Sequence, residues 1–430
     1  MHVPDGFIGA PVSVATGAVA TAAVAVCLRG ARRELDERTA PLAGLVAAFV
    51  FAVQMLNFPV AAGTSGHLLG GALAAILVGP YTGVLCLSMV LLMQGVLFAD
   101  GGLTALGVNI TDMGVVTVLV AFALFHGLLR ILPRTRRGVT VASFVAALVS
   151  VPAAAIAFTG LYALGGTTDV AIGKVFTAMV GVHLLIGIGE AAITALTVGA
   201  VVAVRPDLVH GARGLERRLE LRVSPLTPAT PRSAEPTARS AGPTVPTATA
   251  RPEGVPAQAG APAAAEGVPA QAGRPDGASD GAHPAAAPAA SGSADASRTD
   301  PAASPARAAA PATGAAPAPR GTRRVWLAGV AAALLCAGVV SFYASSSPDG
   351  LEKVAQDHGI DAKTEEHAAK DSPLADYGVE DVSDARLSGG LAGVIGVGTT
   401  LAVGSGVFIV VRRRKGEAAA PRPERETEAV

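Results

Sequence analysis

The chain includes the stretch VTVASFVAALVSVPAAAIAFTGLYAL, residues 139–164, which contains no charged side chain. A helix needs an apolar run of about 18 residues or more to cross the hydrocarbon core of a bilayer. The whole chain has a similar character, because 51% of its 430 residues are hydrophobic and only 15% are charged. We therefore predict a polytopic helical membrane protein. The 33 Lys and Arg residues equal the 33 Asp and Glu residues, so the net charge indicates no partner.

Further apolar runs predict seven spans in the first half of the chain. Arginine clusters follow the first, fifth and seventh runs, and cytoplasmic loops of membrane proteins carry an excess of Lys and Arg. This pattern places Met1 outside the cell. The third run is short, so we expect a tilted or broken helix there. The runs cover about 11–28, 41–58, 68–78, 81–98, 108–130, 139–164 and 171–204.

A segment of low complexity separates this first part from a second hydrophobic part. Residues 224–320 are rich in Pro, Ala, Gly, Ser and Thr, and they repeat EGVPAQAG at 253–260 and 266–273. Because this composition cannot build a packed core, we predict a disordered cytoplasmic linker. The predicted fold is an all-α polytopic membrane protein. Its parts are a seven-helix N-terminal bundle (1–222), the disordered Pro/Ala-rich linker (223–320) and a two-helix C-terminal hairpin (321–430).

The C-terminal hairpin contains two predicted spans, at about 325–344 and 387–411, with basic clusters on the side predicted to be cytoplasmic. The segment between them, Ser345–Arg386, should therefore be extracytoplasmic, and it is rich in Asp and Glu. Two interpretations remain open. The acidic segment attracts cations toward the bundle, or it is a solvated hairpin loop.

The N-terminal residues Met1 and His2 carry the most distinctive chemistry. The α-amine of Met1, the backbone nitrogen of His2 and its Nδ1 can close a five-membered and a six-membered chelate ring around one ion. Three nitrogens in a plane favour nickel, copper or oxidisable cobalt over zinc, magnesium or calcium. A fourth nitrogen would complete the square, and binding should release protons. The alternative is that His2 is an ordinary polar residue at a frayed terminus.

Other polar residues are predicted near the same outer end of the bundle. A glycine-rich loop, residues 59–67, returns to the face that carries Met1 and ends in His67. Residues that could orient a ligating imidazole or amine, or hydrogen-bond between helices, are Asn57, Ser65, Gln94 and Asn109. His183 and Glu190 share one face of the seventh span. For them we favour a buried polar contact that fixes helix packing over a role in metal passage.

Several of these stretches together resemble the CbiM/NikM family, the substrate-capture membrane subunits of energy-coupling-factor ABC transporters for cobalt and nickel. The segment PDGLE, residues 348–352, resembles the PDGLE domain related to the small CbiN/NikN partner, so the chain looks like a fusion of both components. The stretches that carry the CbiM/NikM resemblance are MHVPDGF (1–7), QMLNFPV (54–60), GTSGHLLGG (63–71), GVN (107–109) and HLLIGIGE (183–190).

The resemblance implies a metal site and partners. The family binds its metal with the N-terminal amine, the amide and imidazole of the second residue and a histidine of the glycine-rich loop, which correspond here to Met1, His2 and His67. It also implies a transmembrane coupling subunit and separate ATP-binding cassette ATPases. The transported substrate is then Ni²⁺ or Co²⁺, for cobalamin biosynthesis or nickel enzymes. The residues do not distinguish nickel from cobalt.

Several functions are excluded or kept as alternatives. The sequence contains no GxxxxGK[ST] loop and no Ser/His/Asp arrangement in a plausible soluble site, so we expect neither an enzyme nor an intrinsic ATPase. No bound cofactor and no nucleic-acid partner are expected. We predict a multi-pass cell-membrane protein with its N-terminus outside and its C-terminus in the cytoplasm. The alternatives are a membrane metal sensor or scaffold and a proton-driven permease that uses Glu190 and His183.

Overall fold

The structure is a computed structural model that describes residues 1–37, 39–61, 63–213 and 322–419, with side chains as far as Arg413. The linker predicted at 223–320 lies outside the described residues. The parts of the chain before and after it belong to one compact unit.

Seven helical elements form the first part of the chain, as the sequence predicts. Five of them are long and apolar enough to cross a membrane, namely α1, α4, the continuous unit from α5 to α6, α7 and α8. The elements are α1 (Ala10–Glu34), α2 (Thr39–Gln54), α3 (Gly71–Val78), α4 (Pro80–Leu97), α5 (Leu106–Asn109), which continues through a π-helical segment (Ile110–Val116) into α6 (Thr117–Ile131), α7 (Arg136–Gly165) and α8 (Ile172–Val204).

The third predicted span is much shorter than a membrane crossing. Helix α3 has 8 residues, all of them buried, and at about 1.5 Å per residue it covers less than half of a bilayer core about 30 Å thick. Gly70 before it and Gly79 after it have φ values of +85° and +100°, which favour glycine. Pro80 then begins α4 directly. The expectation of a broken helix is therefore confirmed.

The glycine-rich loop is more regular than the sequence suggests. Strands β1 (Phe58–Ala61) and β2 (Thr64–Gly66) form an antiparallel hairpin in which Phe58 lies opposite Gly66. The hairpin pairs backbone groups that an irregular segment at membrane depth would leave without partners. All three residues of β2 are buried, and Gly66 lies against Ile186 of α8, where a Cβ atom would come within 2.5 Å of that side chain.

The second part of the chain packs directly on the first. It contains α9 (Arg323–Gly338), α10 (Gly350–His358) and α11 (Ala385–Ala419). Segments Arg323–Tyr343 and Ala385–Arg413 are each long and apolar enough to cross a membrane. Helix α11 lies against α2, where a Cβ atom on Gly404 would be 3.3 Å from the Cα of Gly44. Glycine at both positions allows this close approach, and α2, with only 16 residues, is buried along most of its length.

The acidic segment between α9 and α11 is folded against the bundle through its first half, whereas residues 361–371 are mostly exposed. It folds over the end of the bundle that carries Met1, and its helix α10 begins with a capping box formed by Asp349 and Glu352. Leu351 and Ile360 are buried in one apolar cluster with Met1 and Val3. Removing these side chains from water anchors the segment to the N-terminus.

Candidate metal centre

The N-terminus is buried and held in place. Met1 exposes 2% of its surface and Val3 none. The backbone N–H of Val3 donates to Asn109 Oδ1 at 2.8 Å, and Asn109 Nδ2 donates to the carbonyl of Val3 at 3.1 Å. Asp5 accepts from the backbone N–H of Thr104 at 2.8 Å. Asn109 therefore holds the backbone of the N-terminal segment at Val3, and this terminus is not frayed.

Met1 and His67 bring two of the predicted nitrogens together. The terminal ammonium of Met1 donates to Nε2 of His67 at 2.5 Å. On its other side the ring of His67 bonds through Nδ1 to the carbonyl of Leu68 at 3.0 Å. A carbonyl only accepts, so Nδ1 carries the proton and Nε2 presents its lone pair to the amine. The side chain of His67 is 5% exposed. The hydrogen bond to the carbonyl of Leu68 fixes the orientation of its ring.

The ring of His2 stacks on the ring of His67, with centroids 5.0 Å apart and planes 19° from parallel. Nδ1 of His2 lies 3.2 Å from Asp100 Oδ1, and its Nε2 lies 3.2 Å from Gln94 Oε1. Burial lowers the pKa of His2 to about 4, although Asp100 acts in the opposite direction. The ring is therefore neutral at neutral pH. Its Nδ1 has to exchange Asp100 for a metal ion before the predicted chelate can close.

His2 and three other side chains form a closed cycle of polar contacts. Tyr377 donates its hydroxyl hydrogen to Asp100 Oδ2 at 2.6 Å, and Gln94 Nε2 donates to the Tyr377 oxygen at 3.0 Å. Gln94 Oε1 and Asp100 Oδ1 then lie next to the two nitrogens of His2, and because the neutral ring has one N–H it donates to only one of these two acceptors. Burial, and next to it Asp100, raises the pKa of Tyr377 well above its usual value, so the phenol stays protonated and donates. The sequence pattern indicated Gln94 but gave no signal for Asp100 and Tyr377.

Glu190 holds the loop that follows His67. Its carboxylate accepts from the backbone N–H of Leu69 at 2.6 Å and of Gly70 at 3.0 Å. His183 bonds to its own helix, through Nδ1 to the carbonyl of Met179 at 2.8 Å, and its Nε2 has no hydrogen-bond partner among the described residues. The buried polar contact favoured for this pair thus belongs to Glu190 and the loop.

Ser65 and Asn57 contact the second part of the chain instead of the nitrogen cluster, which consists of Met1, His2 and His67. Ser65 donates its hydroxyl hydrogen to the carbonyl of Ser347 at 2.7 Å, and its backbone N–H donates to the carbonyl of Pro348 at 2.8 Å. The carbonyl of Asn57 accepts from the backbone N–H of Ser345 at 2.7 Å. Both residues therefore hold the segment that precedes α10.

The second part of the chain contributes Asp349, which the sequence analysis did not select. Asp349 Oδ2 lies 2.8 Å from the Met1 nitrogen and 3.5 Å from His67 Nε2. Burial opposes ionisation, but the Met1 ammonium favours it and holds the pKa of Asp349 well below its usual range. One possible ligand atom from each of His2, His67 and Asp349 lies within 4.8 Å of the others. The signal that could have revealed Asp349 was its position in the PDGLE segment.

A cavity of about 830 Å³ opens beside this cluster. Its walls include His2, His67, Asp100, Asp349 and Tyr377. Carboxylates and imidazoles in one pocket give a hydrated divalent cation both a favourable potential and exchangeable ligands. The arrangement is suited to binding a metal ion, and it uses residues from both parts of the chain.

The two parts of the chain match two protein families. Residues 2–208 match the family model described as the cobalt uptake substrate-specific transmembrane region, and residues 323–413 match the PDGLE domain. A Haloquadratum walsbyi protein named for metal transport is 39% identical over 209 residues, which are 49% of this chain and 93% of that protein. The cobalt transport protein CbiM of Sorangium cellulosum is 35% identical over 217 residues, which are 49% of this chain and 94% of that protein.

A fused protein shows similarity as well. The fused nickel transport protein NikMN of Rhodobacter capsulatus is 40% identical over 125 residues, which are 29% of this chain and 36% of that protein. The two family models match the two parts of the chain that pack together in the structure. The chain is thus a multi-pass membrane protein that belongs to the CbiM/NikM family of cobalt and nickel transport proteins, which are not enzymes, and it carries a fused PDGLE domain.

Proposed function

We propose that the chain is the substrate-capture subunit of an energy-coupling-factor importer for Ni²⁺ or Co²⁺. The ion is held by the amine of Met1, the amide and Nδ1 of His2, and Nε2 of His67. The observation that carries this proposal is the buried 2.5 Å contact between the Met1 nitrogen and His67 Nε2. These two nitrogens occupy neighbouring corners of the square that the terminal chelate leaves incomplete.

The donor set favours the two proposed metals. Four nitrogens, one of them a deprotonated amide, suit an ion that accepts square-planar geometry, as Ni²⁺ does. Binding releases one proton from the Met1 ammonium and one from the His2 amide, so the coordinated ion carries a reduced net charge into a buried site. The ion takes its place beside His67 when Nδ1 of His2 turns from Asp100 to the metal.

Energy for transport comes from partners in this proposal. The sequence has no nucleotide-binding GxxxxGK[ST] loop, so a coupling subunit and separate ATPases drive release of the ion to the cytoplasm. Met1 and the cavity then face the outside, and the C-terminus lies inside. The two backbone hydrogen bonds to Glu190 suit a residue that holds a loop, and they do not favour a proton-carrying permease.

Metal analysis of four purified variants tests the binding site. One carries an additional residue before Met1, two carry His2→Ala and His67→Ala, and the control carries His126→Ala, which changes an exposed histidine of α6. We expect the first three to lose tight Ni²⁺ and Co²⁺ binding and the control to keep it. N-terminal sequencing of the parent protein checks that Met1 carries a free amine. Unchanged binding in the extended variant would refute the chelate.

Uptake measurements test the partners. We expect ⁶³Ni²⁺ or ⁵⁷Co²⁺ uptake into proteoliposomes only when the coupling subunit, its ATPases and ATP are present. Uptake by this chain alone, driven by a proton gradient, would contradict the importer assignment and support the permease.

A further inference from the structure

Asp349 is the side chain through which the second part of the chain reaches the proposed metal ligands. Its Oδ2 contacts the Met1 nitrogen at 2.8 Å and lies 3.5 Å from His67 Nε2. Its Oδ1 accepts from the backbone N–H of Glu352 at 2.8 Å and so caps α10. The two oxygens therefore make different contacts. Oδ1 fixes the carboxylate to α10, and Oδ2 lies next to the nitrogens of Met1 and His67.

The position of this carboxylate is held by the surrounding structure. The residues before Asp349 are bonded to the hairpin and to Asn57 through three hydrogen bonds of 2.7–2.8 Å. Gly350 after it packs so tightly against α8 that a Cβ atom would lie 2.8 Å from Ile186 and 2.9 Å from Val182. A carboxylate with both neighbours anchored approaches the nitrogens with little loss of conformational entropy.

The distances are those of neighbouring ligands around one ion. Metal–nitrogen and metal–oxygen bonds of about 2 Å place ligand atoms at right angles about 3 Å apart. The separations of Asp349 Oδ2 from Met1 and His67, 2.8 and 3.5 Å, lie on either side of that value. Since four nitrogens fill the plane in the proposed function, an oxygen next to two of them takes the axial position.

The charges also match before and after the metal binds. The Met1 ammonium has charge +1, and it pairs with the carboxylate of Asp349 at 2.8 Å, with the Asp349 side chain 18% exposed. When M²⁺ binds, the ammonium loses one proton and becomes a neutral amine, and the His2 amide loses one proton and becomes an anion. The resulting centre again has charge +1. Asp349 therefore faces the same formal charge of +1 before and after the ion binds.

We propose that Asp349 is a ligand of the transported ion, an axial oxygen that the PDGLE segment adds to the four nitrogens of the N-terminal site. The inference rests on the proposed function and names a fifth ligand for the same Ni²⁺ or Co²⁺ ion. Asp349 exchanges its contact with the Met1 ammonium for a bond to the metal as the ion arrives. The PDGLE segment is thereby a part of the binding site.

X-ray absorption spectroscopy of the nickel-loaded full-length protein tests this ligand. Square-planar Ni²⁺ shows a sharp pre-edge transition that an axial ligand suppresses. We expect the parent protein to lack this transition and the Asp349→Ser variant to show it, because serine still caps a helix but is too short to reach the metal. Asp349→Asn, which keeps the size and the cap, should bind Ni²⁺ at least about tenfold more weakly. Asp357→Asn removes an exposed carboxylate of the same helix and should change neither result.

The outcomes separate this inference from the proposed function. If His67→Ala abolishes tight binding while the Asp349 variants keep the parent spectrum and affinity, Asp349 is not a ligand and the four-nitrogen site stands. If His67→Ala leaves metal binding unchanged, the proposed function itself fails. Thermal unfolding of Asp349→Ser in detergent confirms that the variant is folded, and Asp349→Asn supplies an independent affinity measurement.

Discussion

The carboxylate of Glu190 accepts a 2.6 Å hydrogen bond from the backbone N–H of Leu69. The bond joins the middle of α8 to the loop immediately after His67, and Glu190 is fully buried. The ring of a metal-binding histidine keeps its orientation only if the backbone that carries it is fixed. This contact therefore links the packing of α8 to the geometry of the proposed site.

We predict that Glu190→Ala weakens Ni²⁺ binding by about 10- to 100-fold, the usual effect of losing a residue that orients a metal ligand. Two buried N–H groups lose their acceptor, at a cost of about 1–3 kcal/mol for each group left without a partner. Isothermal titration calorimetry of the purified protein measures the affinity. Thr177→Ala, at an exposed position of the same helix, is the control, because its hydroxyl donates to the carbonyl of Gly173 in its own helix. Equal affinity in both variants would show that Glu190 has no orienting role.

Gly350→Ala should loosen α10 from α8. The added Cβ would lie 2.8 Å from Ile186 and 3.2 Å from the His183 ring, and such overpacking costs about 1–3 kcal/mol. We expect faster backbone hydrogen exchange across 345–386, measured by mass spectrometry. Gly398→Ala is the matched control, since a Cβ atom there meets no atom of the described residues within 4 Å. Unaltered exchange in the Gly350 variant would contradict the packing described above.

Tyr377→Phe should destabilise the fold by about 1.5–3 kcal/mol, the range for a hydrogen bond to a charged group. The change removes the hydroxyl that donates to Asp100 and accepts from Gln94. Thermal unfolding in detergent measures the loss. Tyr343→Phe changes a tyrosine with 81% exposure and should have little effect. Identical stability of the two variants would mean that the cycle around His2 contributes nothing.

Glu34→Gln should lower stability by about 1 kcal/mol without changing metal affinity. Glu34 caps the start of α4: it accepts from the backbone N–H and the hydroxyl of Thr82, both at 2.7 Å. Gln94 lies near the opposite end of that helix, so the site is not disturbed. Glu37→Gln, whose carboxylate is exposed and pairs with Arg412, is the control and should cost less. A loss of Ni²⁺ affinity in Glu34→Gln would contradict the expectation that the start of α4 does not affect the metal site.

Much of the fold could be predicted from local patterns. Uncharged runs bounded by arginines predicted the helices, because the bilayer imposes the same requirement on every span. The shortness of α3 was visible for the same reason. The hairpin from Phe58 to Gly66 could not be predicted, because its glycine-rich sequence specifies no strand register and the pairing depends on burial against α8.

The candidate site was predictable only in part. His2 and His67 could be selected because the chemistry of a terminal chelate and the family resemblance point to the same residues. Asp100 and Tyr377 could not be selected in this way, since single acidic or aromatic residues in loops have no spacing that indicates a partner. Asp349 lies in the PDGLE segment, but nothing in that segment indicates a contact with Met1. Their roles appear only when the loops are placed over the N-terminus.

The amino-acid sequence by itself determined the helical membrane architecture and the family, and it suggested the proposed nitrogen chelator at Met1 and His2, because each depends on composition or on neighbouring residues. The tertiary structure alone decided that the N-terminus is buried, that Glu190 holds the His67 loop, and that Asp349 lies 2.8 Å from Met1 although 348 positions separate them. Such contacts depend on how apolar surfaces pack and how buried charges find partners, and neither is specified by any local stretch of sequence.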